Sequence, residues 1–291
     1  FALRSSQTKG RFRKCLPAKL CSHMRSFGYK FFTSCGVHWQ LQLQLDPWPV
    51  ISSFIYHPTK QEMTDDFDHH TNTYQIYSKD LKNCHEALST SDVINWKQHL
   101  QIQSSQPSLD EVIQNLATTK FIKVKQTQRI LYITPEMAIK LLPSLPETKN
   151  LPPGYSRPKA RLFQVSSMDV THAALVNKFW HFGGNERSQR FIERCIRNFL
   201  SICLLGPEGT PISWSLMDQT GEIRMGATLP EYRGQGLISN LLCVHIQALD
   251  ERGFPTYMHT DKANKTVQKI NHNLHHIPFP CGWNQWNCVP L

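Results

Sequence analysis

The chain has 291 residues, with 32 Lys and Arg against 22 Asp and Glu, a formal net charge of +10, and nine Cys. That length suffices for two domains with separate cores; no run approaches 18 apolar residues, so no span of a membrane is written into it, and the cysteines form no CxxC pair or small disulfide frame, which suits reduced thiols. Eight of the basic residues and none of the acids precede residue 46, leaving 24 basic against 22 acidic in the nearly neutral remainder, a distribution that excludes a nucleic-acid-binding body.

Residues 1 to 45, acid-free and containing Arg and Ser, read as a mitochondrial targeting region, so the expected location is the mitochondrial matrix. Within and after it, Trp39-Gln-Leu-Gln-Leu-Gln-Leu45 alternates at period two, and Val50 to Tyr56 and Thr73 to Tyr77 are further β-rich runs. Asp65, Asp66 and Trp96 read as solvated faces and core. His69, His70, Cys84 and His85 have no zinc-site spacing. Ser108 followed by Glu111 is a capping box, and it opens a helix whose apolar face is Leu109, Val112, Ile113 and Leu116. Phe121 to Val124 and Arg129 to Ile133 read as two strands.

Six Pro or Gly residues between 143 and 158 mark a connector. Beyond it the spacing predicts a strand over Leu162 to Ser166 and a helix over Asp169 to His181. A second helix follows Gly183-Gly184-Asn185, over Arg187 to Phe199. Ser201 to Leu205 and Pro211 to Met217 form a hairpin across Gly206-Pro-Glu-Gly209. Residues 222 to 229 are a strand, 237 to 252 a helix stopped by Gly253, Phe254 to Thr260 a strand, Asn264 to Leu274 a helix and Trp283 to Val289 a last strand.

The chemistry concentrates between Glu222 and Ile238, which read as strand, Gly-rich turn and helix start. Free N–H groups and the positive end of a helix dipole converge at such a turn, Gly234 and Gly236 permit close approach, and Arg233 adds a charge, so Arg233, Gly234, Gln235, Gly236, Leu237 and Ile238 form a candidate phosphate cradle. An ordinary tight strand-to-helix turn is the alternative.

Arg233-Gly-Gln-Gly236-Leu-Ile238 resembles the R-x-x-G-x-G/A pyrophosphate loop of the GNAT acyltransferase superfamily, with Ile238 where that pattern has Gly or Ala. Asn177-Lys-Phe-Trp-His-Phe-Gly-Gly-Asn-Glu-Arg-Ser188, Leu204-Leu-Gly-Pro-Glu-Gly-Thr210, Leu229-Pro-Glu-Tyr-Arg233 and Trp283-Asn-Gln-Trp-Asn-Cys-Val-Pro-Leu291 resemble one branch, the glycine N-acyltransferases, in which the loop reads R-x-x-G-L-hydrophobic. The resemblance covers the chain from about Glu62 onward. It implies an α/β fold with a mixed sheet of the GNAT type. Residues 158–291 would be the acyl-CoA-binding catalytic domain and 1–157 a degenerate GNAT-like half without a phosphate loop; family practice places the cut near 201. It also implies acyl-CoA as co-substrate with no tightly bound cofactor and no metal, and glycine as the other partner; the sequence does not fix the oligomeric state, with a monomer the favoured expectation. Amide formation from a thioester needs an amine stripped of its proton. The resemblance gives that task to Glu222, with Glu231 as the rival and backbone N–H groups of Met225 to Ala227 polarising the thioester carbonyl. The implied activity is transfer of benzoyl and similar acyl groups to glycine in acyl-CoA conjugation and detoxification. A catalytically silent acyl-CoA-binding relative and a glutamine-directed acyltransferase are the alternatives.

Overall fold

The computed structural model describes residues 39–45, 51–58, 65–78, 80–90, 93–142 and 163–291. In chain order its strands are β1 (Trp39–Leu45), β2 (Ile51–Pro58), β3 (Thr73–Ser78), β4 (Leu100–Ser104), β5 (Ile122–Ile133), β6 (Gln164–Ser166), β7 (Ser201–Leu205), β8 (Pro211–Met217), β9 (Ile223–Thr228), β10 (Tyr257–Asp261), β11 (Ile277–Pro278) and β12 (Trp283–Pro290). The helices are α1 (Leu81–Ser89), α2 (Leu109–Thr119), α3 (Glu136–Leu141), α4 (Ala173–Phe179), α5 (Glu186–Asn198), α6 (Leu237–Glu251) and α7 (Lys265–Asn273).

The strands form two sheets. The larger runs β1-β2-β3-β4-β12-β5-β10, with β11 also on β5; the smaller runs β6-β7-β8-β9. Among the described residues only β3 and β4 pair in parallel; every other pairing there is antiparallel. The sheets approach each other where β9 meets β10, without a ladder between them. The last strands belong to the first sheet: β12 lies between β4 and β5, and β10 edges β5, so hydrogen-bonded pairing crosses the connector.

Each sheet buries the face its sequence alternation dictates. Trp214, Leu216, Cys203 and Met225 on one face of the smaller sheet meet Phe191, Ile192 and Cys195 of α5, with Ile246 and Leu249 of α6 joining the same cluster. Its other face packs Ile202, Leu204 and Ile212 under Leu237 and Leu241. In the larger sheet Tyr74, Ile76, Leu100, Ile102 and Trp286 are covered by α1 and α2.

Most predicted elements are present within a few residues of their expected ends. The two strands expected over 121–133 are one strand, because Lys125 to Gln128 sit on a ladder with β12 that accepts polar side chains on its open face. The capping box at Ser108 does not form; its side chain makes no cap hydrogen bond, and Asp110 and Glu111 favour the first turn by charge alone. The helix expected over 169–181 opens as a 3₁₀ turn capped by Asp169 and ends at Phe179. Helices α1 and α3 and strand β4 had no predicted counterpart. The targeting-region reading and the connector fall almost wholly outside the described residues.

Trp286 is fully buried, and its Nε1 donates to Asp110 Oδ1 at 2.7 Å, tying the last strand to α2. Trp286→Ala leaves a cavity in the sheet that joins front and back and should lower unfolding free energy by about 3–5 kcal/mol. Urea denaturation checks this, and a loss below about 1 kcal/mol would mean that β12 does not carry that core.

Candidate active site

Strand β9 carries candidate chemistry at both ends. At its far end, Pro230 to Tyr232 make a 3₁₀ turn, Arg233 follows in extended geometry, and α6 begins after Gly236. Gly234 and Gly236 have φ of 76° and 72°, the left-handed region that favours glycine, and Gly236 is the N-cap of α6. Among the described residues the amides of Gly234 through Ile238 have no backbone partner, so they gather at the positive end of the helix. Arg233 anchors its Nε on Thr228 O at 3.0 Å and otherwise lies exposed. Arg233, Gly234, Gln235, Gly236, Leu237 and Ile238 are thus in one turn. A methyl group placed on Gly226 would stand 3.5 Å from Ile238 Cδ1, so the bulk of Ile238 is directed at β9, beside a glycine.

Mid-strand, β9 bulges. Trp214 faces Ala227 and Leu216 faces Arg224, which leaves Met225 and Gly226 opposite Ser215 alone, and Met225 has φ of 56°. A non-glycine residue held there is strained, and a bulge leaves part of the ladder unpaired. This is the stretch expected to offer N–H groups to a carbonyl.

Glu222 lies at the near end, separated from the phosphate turn by six strand residues, roughly 20 Å at about 3.3 Å each. Glu231 is exposed and stands at the turn end instead. The Glu222 side chain is only 6% exposed. Its Oε1 accepts the His259 backbone N–H at 3.1 Å, its Oε2 lies 2.9 Å from His259 Nδ1, and Arg224 Nη1 is 3.8 Å away. Burial works to raise this carboxyl, but the charges of His259 and Arg224, with the His259 hydrogen bonds, outweigh it and hold it at about 2. Arg224 is itself held on Asp218 Oδ2 at 2.7 Å, and Asp218 Oδ1 accepts from Thr220 N at 2.8 Å and Thr220 Oγ1 at 2.6 Å. Burial opposes the Arg224 charge, yet Glu222 and Asp218 raise its pKa overall.

The His259 ring completes the unit. It stacks on Trp283 at 4.7 Å and 24°, and its Nε2 is buried with no partner among the described residues. In the neutral form of the ring, with Nδ1–H assigned to the Glu222 hydrogen bond, the lone pair would be on Nε2.

An aromatic layer from the α4–α5 connection closes over this group. Arg224 stands 5.3 Å from the Trp180 ring, Trp180 packs on Phe182 and Phe191, and His70 sits against all three. Burial, with Arg224 next, pushes the His70 pKa well down, so a neutral ring joins the layer. Gly183 makes the chain reversal possible: a Cβ there would come 2.1 Å from Asn177 O. The front of the chain braces the site. Gln219 Nε2 donates to His70 O at 2.6 Å, and Arg194 Nη2 to Thr71 Oγ1 at 2.6 Å.

The family model for aralkyl acyl-CoA:amino acid N-acyltransferase matches residues 1–200, and the model for its C-terminal region matches 202–290. The chain belongs to the aralkyl acyl-CoA:amino acid N-acyltransferase family. It is 67% identical to bovine glycine N-phenylacetyltransferase, over the whole of both chains. Human glycine N-acyltransferase is 58% identical over 96% of this chain and 94% of its own. The match therefore includes residues 1–61, which the sequence resemblance did not reach. Among solved structures, a Drosophila protein superposes with a TM-score of 0.60 at 15% identity, covering 82% of this chain and 80% of that one. A GCN5-related N-acetyltransferase from Kribbella flavida gives 0.52 at 12%, covering 95% and 96%. At those identities the likeness shows the fold, a mixed α/β acyltransferase architecture, as expected.

Sequence reasoning found Glu222 and the turn but missed Asp218, Arg224 and His259 as one unit. A signal existed: Asp218, Glu222 and Arg224 place three charges within seven residues that lead into a buried strand. His259 gave none, because its partner lies 37 positions away.

The Glu222 carboxyl is depressed from 4.5 to about 2 in the fold, so its ionised form stabilises the protein above the unfolded value, and that contribution is lost as pH falls through about 2. Wild type should exceed Glu222→Gln in unfolding free energy by on the order of 3 kcal/mol near neutral pH. In urea titrations the gap should hold level down to about pH 5.5 and shrink towards pH 3. A gap that stays level throughout would show that this network does not hold the charge.

Proposed function

We propose that this acyltransferase moves an aralkyl or aromatic acyl group, phenylacetyl or benzoyl in kind, from acyl-CoA to the amino group of glycine, releasing N-acylglycine and CoA. The observation that carries the reading is a carboxylate–imidazole pair lodged at the head of the strand whose far end forms an anion-binding turn. Acyl-CoA is the co-substrate, its pyrophosphate at Arg233 and the Gly234 to Ile238 amides and its thioester beside the Met225 bulge, where backbone N–H groups meet the carbonyl oxygen as negative charge develops. The Trp180 and Phe182 rings supply apolar surface for an aromatic acyl group.

Glycine arrives as an ammonium, and a carboxylate held at about 2 is a weak acceptor for its proton. The proton therefore goes to the Glu222–His259 pair, with Glu222 fixing the tautomer and stabilising the charged ring while His259 Nε2 receives the proton. Two bonds change at the reacting carbon: the amine nitrogen forms a C–N bond and the C–S bond breaks, and the second proton of the former ammonium passes from nitrogen to the departing CoA thiolate, leaving a neutral amide and a thiol.

Incubation with phenylacetyl-CoA or benzoyl-CoA and glycine, with free thiol followed, tests the reading directly; no thiol release with any aromatic acyl-CoA would leave only an acyl-CoA binder. Steady-state kinetics then separate the residues. Arg233→Ala should raise KM for acyl-CoA by roughly 10–100-fold with little change in kcat, because it contacts a part of CoA remote from the chemistry. Glu222→Gln offers Nδ1 an amide N–H and selects the wrong tautomer, so kcat should fall roughly 10²–10⁴-fold while KM for acyl-CoA stays put. Raising pH supplies free amine and should narrow that deficit; equal impairment at every pH would remove the pair as proton acceptor.

The acid-free, basic first 45 residues support a mitochondrial location for this conjugation chemistry. Fused to a fluorescent protein they should direct it to mitochondria, and a diffuse signal would overturn that assignment.

A further inference from the structure

Arg129 is a cation that makes no close ion pair among the described residues. On β5 it faces Asp261 of β10 and Trp283 of β12, and His259 faces Leu131 two residues along. Directly opposed residues share a face and so do alternate ones, which places Arg129 and His259 as diagonal neighbours on one face, about 7–8 Å apart.

The side chain is held at two points. Its Nε donates to Gln285 Oε1 at 3.1 Å, and its guanidinium lies 5.3 Å from the centre of the Phe182 ring. Gln285 is oriented in turn by a row of amides across the sheet: its Nε2 donates to Asn287 Oδ1, which also accepts from Gln101 Nε2, and Gln103 Nε2 donates to Gln101 Oε1. Phe182 touches Trp180, and Trp180 carries Arg224. Arg224 spends its charge on Asp218 and Glu222. Among the described residues Arg129 has no carboxylate within ion-pair distance, and its Nη1 and Nη2 donate to nothing. Burial leads in lowering its pKa, while Glu222 and, less strongly, Asp261 attract and Arg224 repels, so its charge is felt in the same volume as theirs.

A guanidinium fixed through Nε and a ring, with two parallel donors left over, is the geometry that recognises a carboxylate bidentately. The acceptor proposed above carries one beside its amine. We propose that Arg129 binds the α-carboxylate of the amino-acid acceptor and so directs its amine to the Glu222–His259 pair, which makes this residue the selector of α-amino acids over simple amines. The inference rests on the acyl-transfer reading.

The test uses the full chain, an aromatic acyl-CoA, and two acceptors, glycine and glycinamide, which differ in the carboxylate. Wild type should prefer glycine in kcat/KM, and Arg129→Gln should raise KM for glycine by roughly 10–100-fold, collapse the glycine-to-glycinamide preference by the same factor, and leave KM for acyl-CoA in place. Arg129→Lys, which keeps the charge and loses the fork, should retain part of the preference. If Arg129→Gln lowers both acceptors equally, or leaves the glycine KM unchanged, the anchor is wrong although acyl transfer stands. If wild type acylates neither acceptor, the acyl-transfer reading falls and this inference with it.

Discussion

The structure turns on one carboxylate–imidazole contact placed where two sheets part. β9 and β10 run close without a ladder, so the backbone N–H of His259 lacks the strand partner that a continuous sheet would give it. Glu222 supplies that partner with Oε1 and binds the same residue's ring with Oε2. A buried carboxylate would ordinarily be costly, and removing one partner of such a pair leaves an uncompensated charge. Here the compensation is relayed from Glu222 to His259 and Arg224, and from Arg224 to Asp218, whose second oxygen is filled by the Thr220 turn. Between β9 and β10 side chains do the pairing that backbone would do elsewhere.

The front half braces this group although the candidate phosphate turn lies entirely behind it. The Asp218–Thr220 turn is held from the front through Gln219 and the His70 carbonyl, and α5 through Arg194 and Thr71. β12, the last strand of the chain, threads between β4 and β5 and brings Trp283 under the His259 ring. A two-unit chain joined only by a connector could flex there; pairing on both sides of β12 places strands from the two halves in one hydrogen-bonded sheet.

What could be read beforehand follows from how far apart the cooperating residues stand. The hairpin across Gly206–Gly209, the Asn185 cap, the Gly253 stop and the Arg233–Ile238 turn depend on residues within a few positions of each other, so local patterning exposes them. Glu222 was legible through the family resemblance, since by itself the position reads as a strand-start surface residue. The continuity of β5 was not, because Lys125 to Gln128 become strand only through β12, more than 150 residues later. His259 and Arg129 were hidden for the same reason. Each looks like an ordinary strand residue until a second strand sets its face and its neighbours.

That difference in sequence distance separates the two substrates. In the proposed reading the donor's groups, from the Met225 bulge through Ile238, lie in one contiguous stretch of strand, turn and helix that would work by backbone amides. The acceptor's groups would be assembled from β5, β10, β12 and the α4–α5 connection and would work through side chains: a guanidinium, an imidazole, a carboxylate and rings. Backbone recognition of the pyrophosphate is common to whatever acyl group CoA carries, so the turn constrains the donor's handle but not its acyl chain. Side-chain recognition at the sheet junction is open to single substitutions that alter which amine fits without disturbing the handle. A chain built this way can keep its CoA chemistry fixed while acceptor choice is set, residue by residue, at the seam between its halves.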